Sequence, residues 1–559
     1  MLAMSGLLMA GCANTPTTGK PLADASRASV AAAVTVDEVT PPEVDDKLVE
    51  AHAHYAQGTI YDLDDEPELA LQEYSQAALG DPSNEQLVEE LSRRYLQRKE
   101  PEKALDLLER ATALPKASGV LFARLGLVYS RLGKDEQAVA ATQTAIKRLP
   151  LSLSGYQTLF VIHLQKGRFK EAQAVLDDAA KRPDVPAEFL VNLAELYANL
   201  ERQAPSQKEA TKAGTKAALL RAMQLKPVEP RLRLKLADGF NMLGDTKNAT
   251  ELYLQLLRGY GDLPELRNDV RGKLADVYLR EHDAGKAIEQ LESIVREDPA
   301  NPQAYYVLGG LAVDARKFPE AEDYFQKTLL LSDNFEQAYY DLADVQINLD
   351  HAKGALSTLE QARVKYSDTF INEFLTGLAY GKEKEYDKAV THLTSAELLA
   401  KTSDPSRLNK YFYFQVGSVH ERKGDYEQAE QYFEKTLELA PDFTEALNYF
   451  GYMLADRGVK LERAHEMIEK AVKSEPKNAA YLDSLGWVLY KLNQPGEALT
   501  QELKAVEFSE EPDATVYDHL GDIYAALKQV EKAREAWHKS LSVEPNEGIK
   551  KKLEPAANK

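Results

Sequence analysis

Cysteine is almost absent from the sequence, with a single residue, Cys12, among 559. A disulfide framework, an iron–sulfur cluster and a cysteine-rich zinc site each need several cysteines, so all three are excluded. Long apolar runs are also missing, and no segment of the sequence reaches the roughly 20 apolar residues that a transmembrane helix needs. At this length a single hydrophobic core is not expected, so the chain should hold several domains or a repeat array.

Basic residues are in deficit, because 68 Lys and Arg stand against 89 Asp and Glu and give a net charge of −21. A general nucleic-acid binder needs a basic surface for its phosphate contacts, so the composition excludes that class. A partner for such an acidic surface is expected to be neutral or basic.

Motifs of the common enzyme classes are lacking too. The sequence contains no G-x-x-x-x-G-K-[ST] phosphate-binding loop and no G-x-S-x-G nucleophile turn. His420 and Glu421 begin like a zinc-protease helix, but Gly424 stands where the second histidine is needed. His52 and His54 are two residues apart and point to different sides of a helix. We therefore expect no catalytic residue, cofactor, metal or small-molecule substrate, while a site assembled across several repeats stays open.

The segment before Cys12 is short and apolar, and it ends in the small residues Ala10 and Gly11. It resembles a bacterial lipobox, in which a signal peptidase cleaves before the cysteine and the thiol carries diacylglycerol. The resemblance implies a signal peptide over residues 1–11 and anchoring through acyl chains on Cys12, of which two or more are needed for a stable hold. The alternative is an inert cysteine buried in a helix. Residues 1–11 contain no Lys or Arg, which departs from the usual signal peptide.

Residues 12–50 are predicted to be the lipidated cysteine and a flexible tether, because Thr, Pro, Ala and Val dominate and no helical period appears. Coil scaling gives the tether a reach of roughly 30–35 Å. The residue after Cys12 is Ala13 rather than Asp. By resemblance to Gram-negative lipoproteins, this implies an outer-membrane location facing the periplasm.

One pattern returns from about residue 51 with a period close to 34 residues. A small residue is followed 12 residues later by Ala and 16 residues later by a large apolar residue, as in Gly417, Ala429 and Phe433. Pro441 closes this copy, because proline lacks the N–H that would continue a helix. The small position occurs fourteen times, at Gly58, Ser92, Gly126, Phe160, Ala194, Ala237, Ala275, Gly309, Ala343, Gly377, Gly417, Gly451, Gly486 and Gly521.

Several copies depart from the regular spacing or residue type, and the steps from Ala237 to Ala275 and from Gly377 to Gly417 are 38 and 40 residues. Phe160 is not small, so the fourth copy is the weakest match. The step from Ala194 to Ala237 is 43 residues, which predicts a loop near residues 201–211.

The pattern resembles the tetratricopeptide repeat (TPR), a 34-residue helix–turn–helix unit. Small residues let the two helices cross closely, and the pairs stack because one pair alone cannot bury its apolar face. The resemblance implies an all-α fold, a right-handed TPR superhelix (α-solenoid) of about fourteen repeats over residues 51–547. A short basic tail over residues 548–559 is expected to follow, with lysines that solvate the last helix.

In TPR superhelices the first helix of each repeat lines a concave groove, and fixed positions of that helix point into it. Carried over to this chain, those positions imply a protein-binding aromatic ladder of Tyr306, Tyr340, Phe374, Phe414, Tyr452 and Trp487. Aromatic side chains of this kind anchor protein segments at interfaces. The alternative, left open, is that these rings pack against neighbouring repeats.

The same register implies an acidic groove, formed by Glu188, Glu195, Asp238, Asp269, Asp276, Asp483, Asp518 and Asp522. The alternative is a solvated acidic surface on an acidic protein. TPR proteins that clamp the carboxylate of a peptide place Lys and Asn at these positions, so that mode of recognition is not expected here.

The lipobox, the tether and the long TPR array together resemble the outer-membrane TPR lipoproteins of proteobacteria. Residues 447–458 (LNYFGYMLADRG) and 481–487 (YLDSLGW) look typical of that group. The resemblance implies a protein-binding adaptor that brings a periplasmic carboxyl-terminal processing protease to substrates such as cell-wall hydrolases. Two alternatives remain: a scaffold lipoprotein of a polysaccharide or pilus assembly machine, and an enzyme with an unrecognised site.

Overall fold

The computed structural model describes residues 46–554, so Cys12 and the predicted signal peptide lie outside the described residues. Between residues 46 and 554 the chain forms 29 α-helices and two short 3-10 segments, and no strand occurs there. The predicted all-α fold is therefore confirmed. The chain divides into two compact units, Met1–Ala218 and Leu219–Lys559, with the boundary inside one helix.

The helices that begin in the first unit are α1 (Asp46–Leu63), α2 (Pro67–Gly80), α3 (Glu85–Gln97), α4 (Pro101–Thr112), α5 (Gly119–Arg131), α6 (Asp135–Arg148), α7 (Leu153–Gln165), α8 (Phe169–Ala180), α9 (Ala187–Gln203) and α10 (Lys208–Gln224). A 3-10 segment, Pro205–Gln207, connects α9 to α10.

The helices of the second unit are α11 (Pro230–Met242), α12 (Thr246–Tyr260), α13 (Pro264–Arg280), α14 (Ala284–Glu297), α15 (Pro302–Asp314), α16 (Phe318–Leu331), α17 (Glu336–Asn348), α18 (Ala352–Lys365), α19 (Phe370–Lys382), α20 (Tyr386–Ser403), α21 (Lys410–Lys423), α22 (Tyr426–Leu439), α23 (Thr444–Asp456), α24 (Leu461–Ser474), α25 (Ala479–Lys491), α26 (Pro495–Phe508), α27 (Ala514–Ala526), α28 (Val530–Val543) and α29 (Glu547–Leu553). The second 3-10 segment is Pro405–Arg407.

The odd-numbered helices from α1 to α27 are the first helices of fourteen repeats, and each carries one of the fourteen predicted small positions in a buried place. Gly417 shows why a small residue is needed. A Cβ atom at this position would lie 2.7 Å from Cε1 of the Phe433 ring on the paired helix α22. The absence of a side chain therefore makes room for the ring of the second helix, and the prediction of about fourteen repeats is confirmed.

The turn between the two helices of a repeat uses a left-handed residue. Seven residues after the small position, thirteen of the fourteen described repeats place a residue with positive φ. Some of these are glycine, such as Gly424 with φ 85°, but Lys99 (φ 62°) and Arg316 (φ 57°) occupy the same place. A left-handed residue ends the first helix and reverses the chain at a modest conformational cost for non-glycine residues.

The repeat without such a residue is the fifth, where the sequence predicted a loop. That prediction is wrong, because α9 and α10 are each 17 residues long and cover most of residues 201–211. Within the first unit, Gly214 of α10 lies against the Tyr197 ring of α9, so the two lengthened helices still pack as a pair. The extra residues of the wide step extend the helices, since this stretch is rich in helix formers.

The ends of the array also differ from the prediction. The first helix begins at Asp46, five residues before the predicted boundary at residue 51. Residues 547–553, predicted to belong largely to a basic tail, form α29, in which Ile549 is buried against Trp537. Lys552 on this helix is ion-paired rather than solvated, as described below. Within residues 46–554, no helix combines the length and apolarity needed to cross a membrane.

Candidate functional site

The predicted aromatic ladder places one ring on each of four successive first helices, and these rings contact the following repeat. The hydroxyl of Tyr306 on α15 donates to Asp341 Oδ2 on α17 at 2.7 Å. The centre of its ring lies 4.5 Å from the ring centre of Phe335. Phe374 on α19 packs 5.7 Å from the ring of Phe412 on α21. These contacts join one repeat to the next and leave Tyr306 and Phe374 partly buried.

Tyr340 on α17 is the most enclosed of these four rings, with 4% of its surface exposed. Its hydroxyl donates to Glu336 Oε1 at 3.1 Å and accepts a hydrogen bond from the Thr369 hydroxyl at 3.4 Å. Phe414 is similarly covered by Phe443, at 5.6 Å between ring centres. The next repeat packs over Tyr340, which matches the alternative that these rings pack against neighbouring repeats. Whether the ladder binds protein stays a prediction.

Tyr452 and Trp487 extend the ladder into a second cluster of rings. Trp487 on α25 stacks on the imidazole of His519, with ring centres 3.9 Å apart and planes inclined by 14°. Its indole N–H donates to Asp456 Oδ1 at 3.3 Å. Tyr452 on α23 is partly buried, 6.2 Å from the same imidazole. Trp487 is therefore buried, which matches the alternative that these rings pack against neighbouring repeats.

An open cleft lies beside Tyr340, between the start of α17, the start of α19 and the end of α20. Phe370, Ile371 and Leu399 give it an apolar lining, and Arg407 lies over the Phe370 ring at 5.4 Å. Carboxylates stand around it, from Glu336, Asp368 and Asp404, and the last two form ion pairs with Arg363 and Arg407. An apolar floor with an acidic rim suits a peptide segment that carries apolar and basic side chains.

The predicted acidic residues fall into different environments. The exposed members are Glu188, Glu195, Asp269 and Asp276. Asp238 is partly buried, and it accepts hydrogen bonds from the Tyr253 hydroxyl at 2.6 Å and from Lys273 Nζ at 3.2 Å. The exposed members match the alternative of a solvated acidic surface, whereas Asp238 is satisfied within the chain.

Asp518 and Asp522 on α27 are held by the C-terminal helix. Lys552 Nζ on α29 lies 2.8 Å from a carboxylate oxygen of each. Burial by itself would lower the pKa of Lys552, but the two carboxylates hold it above its ordinary value. Lys552, which the sequence predicted to lie in a solvated tail, therefore occupies this end of the predicted acidic groove.

Two charged groups, those of Asp344 and Glu373, were not among the site residues predicted from the sequence. Asp344 directly follows the small position of its repeat, in the same register as Asp276, and reduced hydration with the nearby Asp341 raises its pKa. Glu373 is buried and binds Arg363 at 2.7 Å and His392 at 2.8 Å. The register could have found Asp344. No spacing signal could have found the Glu373 network, because its members come from three different helices.

The comparisons with known families agree with this geometry. Models described as tetratricopeptide repeat match residues 158–204, 273–338 and 460–514, residues 411–443, and residues 514–547. The matched segments lie in both compact units of the chain.

Among similar proteins, the peroxisomal targeting signal receptor of Saccharomyces cerevisiae is 22% identical over 237 residues, which are 42% of this chain and 32% of the receptor. The photosystem I assembly protein Ycf3 of Acaryochloris marina is 29% identical over 132 residues, 23% of this chain and 71% of that protein. The chain thus spans about a third of the receptor's length.

Solved structures with similarity include the Cut9–Hcn1 hetero-tetramer of the APC/C, with 15% identity, a TM-score of 0.39, and coverage of 83% of this chain and 95% of that one. MamA from Desulfovibrio magneticus RS-1 is 23% identical with a TM-score of 0.29, covering 32% of this chain and 97% of MamA.

TPR proteins are generally non-enzymatic scaffolds that bind other proteins through their stacked repeats. Repeat models match five segments of the chain, and the described residues form fourteen helix pairs, each with one of the predicted positions buried in its first helix. The chain therefore carries tetratricopeptide repeats, and such repeats imply a scaffold for protein–protein interaction.

Proposed function

We propose that the chain is a lipid-anchored adaptor of the bacterial envelope. Acyl chains on Cys12 would hold it at the periplasmic face of the outer membrane, and the repeats would bring a carboxyl-terminal processing protease to its protein substrates, such as cell-wall hydrolases. The observation that carries the proposal is the run of fourteen helix pairs that fills residues 46–543. Such an array presents a long binding surface, which suits a protein with more than one protein partner.

The chemistry of the surface supports partners with neutral or basic segments. The net charge is −21, and four predicted groove carboxylates are exposed. In the second unit, the cleft beside Tyr340 combines the apolar Phe370, Ile371 and Leu399 with three surrounding carboxylates. We place a client-binding site at this cleft, because an apolar anchor can enter it while basic flanks meet the acidic rim.

The proposal is tested by affinity capture from envelope extracts, with the captured proteins identified by mass spectrometry. Recovery of a carboxyl-terminal processing protease together with cell-wall hydrolases is the expected result. Recovery of a secretin or a polysaccharide synthase would instead favour a scaffold of an export or assembly machine. Capture of neither class would leave the adaptor role without support and count against it.

Two adjacent leucines on α20 test the position of the client site. Leu399 lines the cleft, whereas Leu398 is 64% exposed and does not line it. Leu399→Glu should weaken client capture at least tenfold, because a carboxylate would stand on the apolar floor. Leu398→Glu is the matched control and should leave capture unchanged. Equal capture by the two variants, both with unchanged helical circular dichroism, would refute a client site at this cleft.

A further inference from the structure

Glu502 occupies a place that is apolar in the other repeats of the second unit. Sixteen or seventeen residues after the small position, the second helix of each repeat inserts a large side chain into the pair. The residues at this place in the other second-unit repeats are Tyr253, Leu291, Phe325, Leu359, Leu393, Phe433, Ile468 and Trp537. In the thirteenth repeat it is Glu502 on α26, which is completely buried. A carboxylate in a helix-pair core is costly unless it is paired or binds a cation.

The carboxylate of Glu502 has no hydrogen-bonding partner in the part of the chain that the structure describes. Neither of its oxygens is within hydrogen-bonding geometry of a donor of residues 46–554. Gly486 on α25 provides the space, since a Cβ atom there would collide with Glu502 Oε2. The helix pair thus encloses a carboxylate that has no hydrogen-bonding partner among the described residues.

Two further metal-binding side chains converge on this carboxylate from neighbouring helices. Asp483 on α25 and His519 on α27 are both buried, and ligand atoms of Asp483, Glu502 and His519 all lie within 4.8 Å of one another. His519 Nδ1 donates to Asp483 Oδ1 at 2.8 Å. The Trp487 ring stacked on His519 fixes the plane of the imidazole. Sequence spacing could not reveal this set, because its members lie on three helices.

We propose that Asp483, Glu502 and His519 form a binding site for one divalent transition-metal ion. Two carboxylates and one imidazole are ligands typical of Zn²⁺ and of neighbouring transition metals, whereas Mg²⁺ and Ca²⁺ prefer oxygen ligands alone. A dication would balance the charge of the two buried carboxylates. Zn–N and Zn–O bonds of about 2.0–2.2 Å set the ligand atoms about 3.3–3.6 Å apart. Small side-chain movements from the present spacing would therefore complete the coordination.

Three protein ligands leave at least one coordination position open. Asp483 and His519 are slightly exposed, at 7% and 5%, so an ion can reach the cluster from their side. The rings of Trp487 and Tyr452 lie next to the imidazole of His519, with ring centres 3.9 Å and 6.2 Å away. The site belongs to the α25–α27 region of the second unit, separate from the proposed client cleft at α17–α20. It does not depend on the adaptor role.

The test is a titration of the full chain, stripped of metal with a chelator, with Zn²⁺ alone in a calorimeter and by equilibrium dialysis. We expect one equivalent to bind with a dissociation constant of about 1 µM or tighter, and the melting temperature to rise on binding. Mg²⁺ at the same concentration should produce neither effect. Failure of the wild-type chain to take up one equivalent of Zn²⁺, or equal binding of Mg²⁺, would overturn the proposal and leave a buried hydrogen-bonded cluster.

Variants assign the binding to this cluster. Glu502→Leu restores an apolar residue of the kind found in other repeats, and Glu502→Gln keeps the shape without the charge, so at least one of them should fold. Each folded variant should bind Zn²⁺ at least a hundredfold more weakly and lose the metal-dependent rise in melting temperature. His392→Gln is the matched control, because it removes a histidine that pairs with another buried carboxylate, that of Glu373. This variant should bind Zn²⁺ as tightly as the wild-type chain. Zn²⁺ binding that survives in a folded Glu502 variant would refute the site.

Discussion

Two adjacent glycines on α15, Gly309 and Gly310, provide a direct test of the packing that defines each repeat. A Cβ atom at Gly309 would lie 2.6 Å from Cε1 and 2.7 Å from Cδ1 of the Phe325 ring. A Cβ atom at Gly310 would meet nothing within 4 Å. Both residues lie inside the same helix, so alanine brings the same gain in helix propensity at each. The two alanine variants therefore differ mainly in the contact with Phe325.

The two substitutions are expected to change the stability of the repeat in opposite directions. Gly310→Ala should stabilise the repeat by about 0.5–1 kcal/mol, because the unfolded chain loses conformational freedom. Gly309→Ala carries the same gain, but it also overpacks the core at a cost of about 1–3 kcal/mol. The Phe325 ring cannot move away easily, since it is 2% exposed and the Tyr306 ring lies 5.7 Å from it. Gly309→Ala should therefore be less stable than Gly310→Ala by about 1–3 kcal/mol.

Native-state hydrogen exchange of α15 and α16 is the suitable assay, because repeat arrays open locally and a single unfolding transition does not report one repeat. Exchange in these helices should be faster in Gly309→Ala and slower in Gly310→Ala than in the wild-type chain, with distant repeats unaffected. If Gly309→Ala exchanged as slowly as Gly310→Ala, the close helix crossing would not be what selects a small residue. Loosening spread evenly over the whole second unit would contradict nearest-neighbour coupling.

Two other predictions concern the anchor and the ladder. Replacing Cys12 with Ser should release the protein from membranes without changing its helical circular dichroism, and a variant that stays membrane-bound after a high-salt wash would defeat the lipoprotein hypothesis. Tyr340→Ala should lower the free energy of unfolding of its region by about 3–5 kcal/mol, because it empties a buried site. Measuring both the melting temperature and the affinity for a partner, the latter well below the melting temperature, distinguishes a packing role of Tyr340 from a binding role. A large loss of affinity with an unchanged melting temperature would contradict the packing role.

The sequence was informative wherever one local rule recurs in every repeat. Spacing alone located the fourteen positions, because the helix pairs repeat the same crossing and most of the crossings favour a small residue. The sequence was not informative at the wide step between the fifth and sixth repeats, where more than one local structure fits the spacing. The 43-residue step from Ala194 to Ala237 fits either a loop or longer helices, and the packing of Tyr197 against Gly214 goes with the longer helices.

The environment of the candidate site residues depends more strongly on contacts between repeats than the repeat pattern itself does. Tyr339 and Tyr340 are adjacent in sequence, and the repeat register assigned Tyr340 to the groove. Both are buried, at 3% and 4% exposure, because the following repeat packs over the groove position. A register describes one helix, whereas burial depends on the neighbouring helices that cover it.

By itself, then, the sequence determined the all-α repeat architecture, since helix-pair packing is local and its residue pattern is periodic. Only the tertiary structure decided which aromatic rings are covered and where Lys552 binds. It alone brought Asp483, Glu502 and His519 together, although 36 residues separate the first from the last. The physical reason is that hydration, charge pairing and metal-binding geometry depend on distances between helices, which no pattern along a single helix specifies.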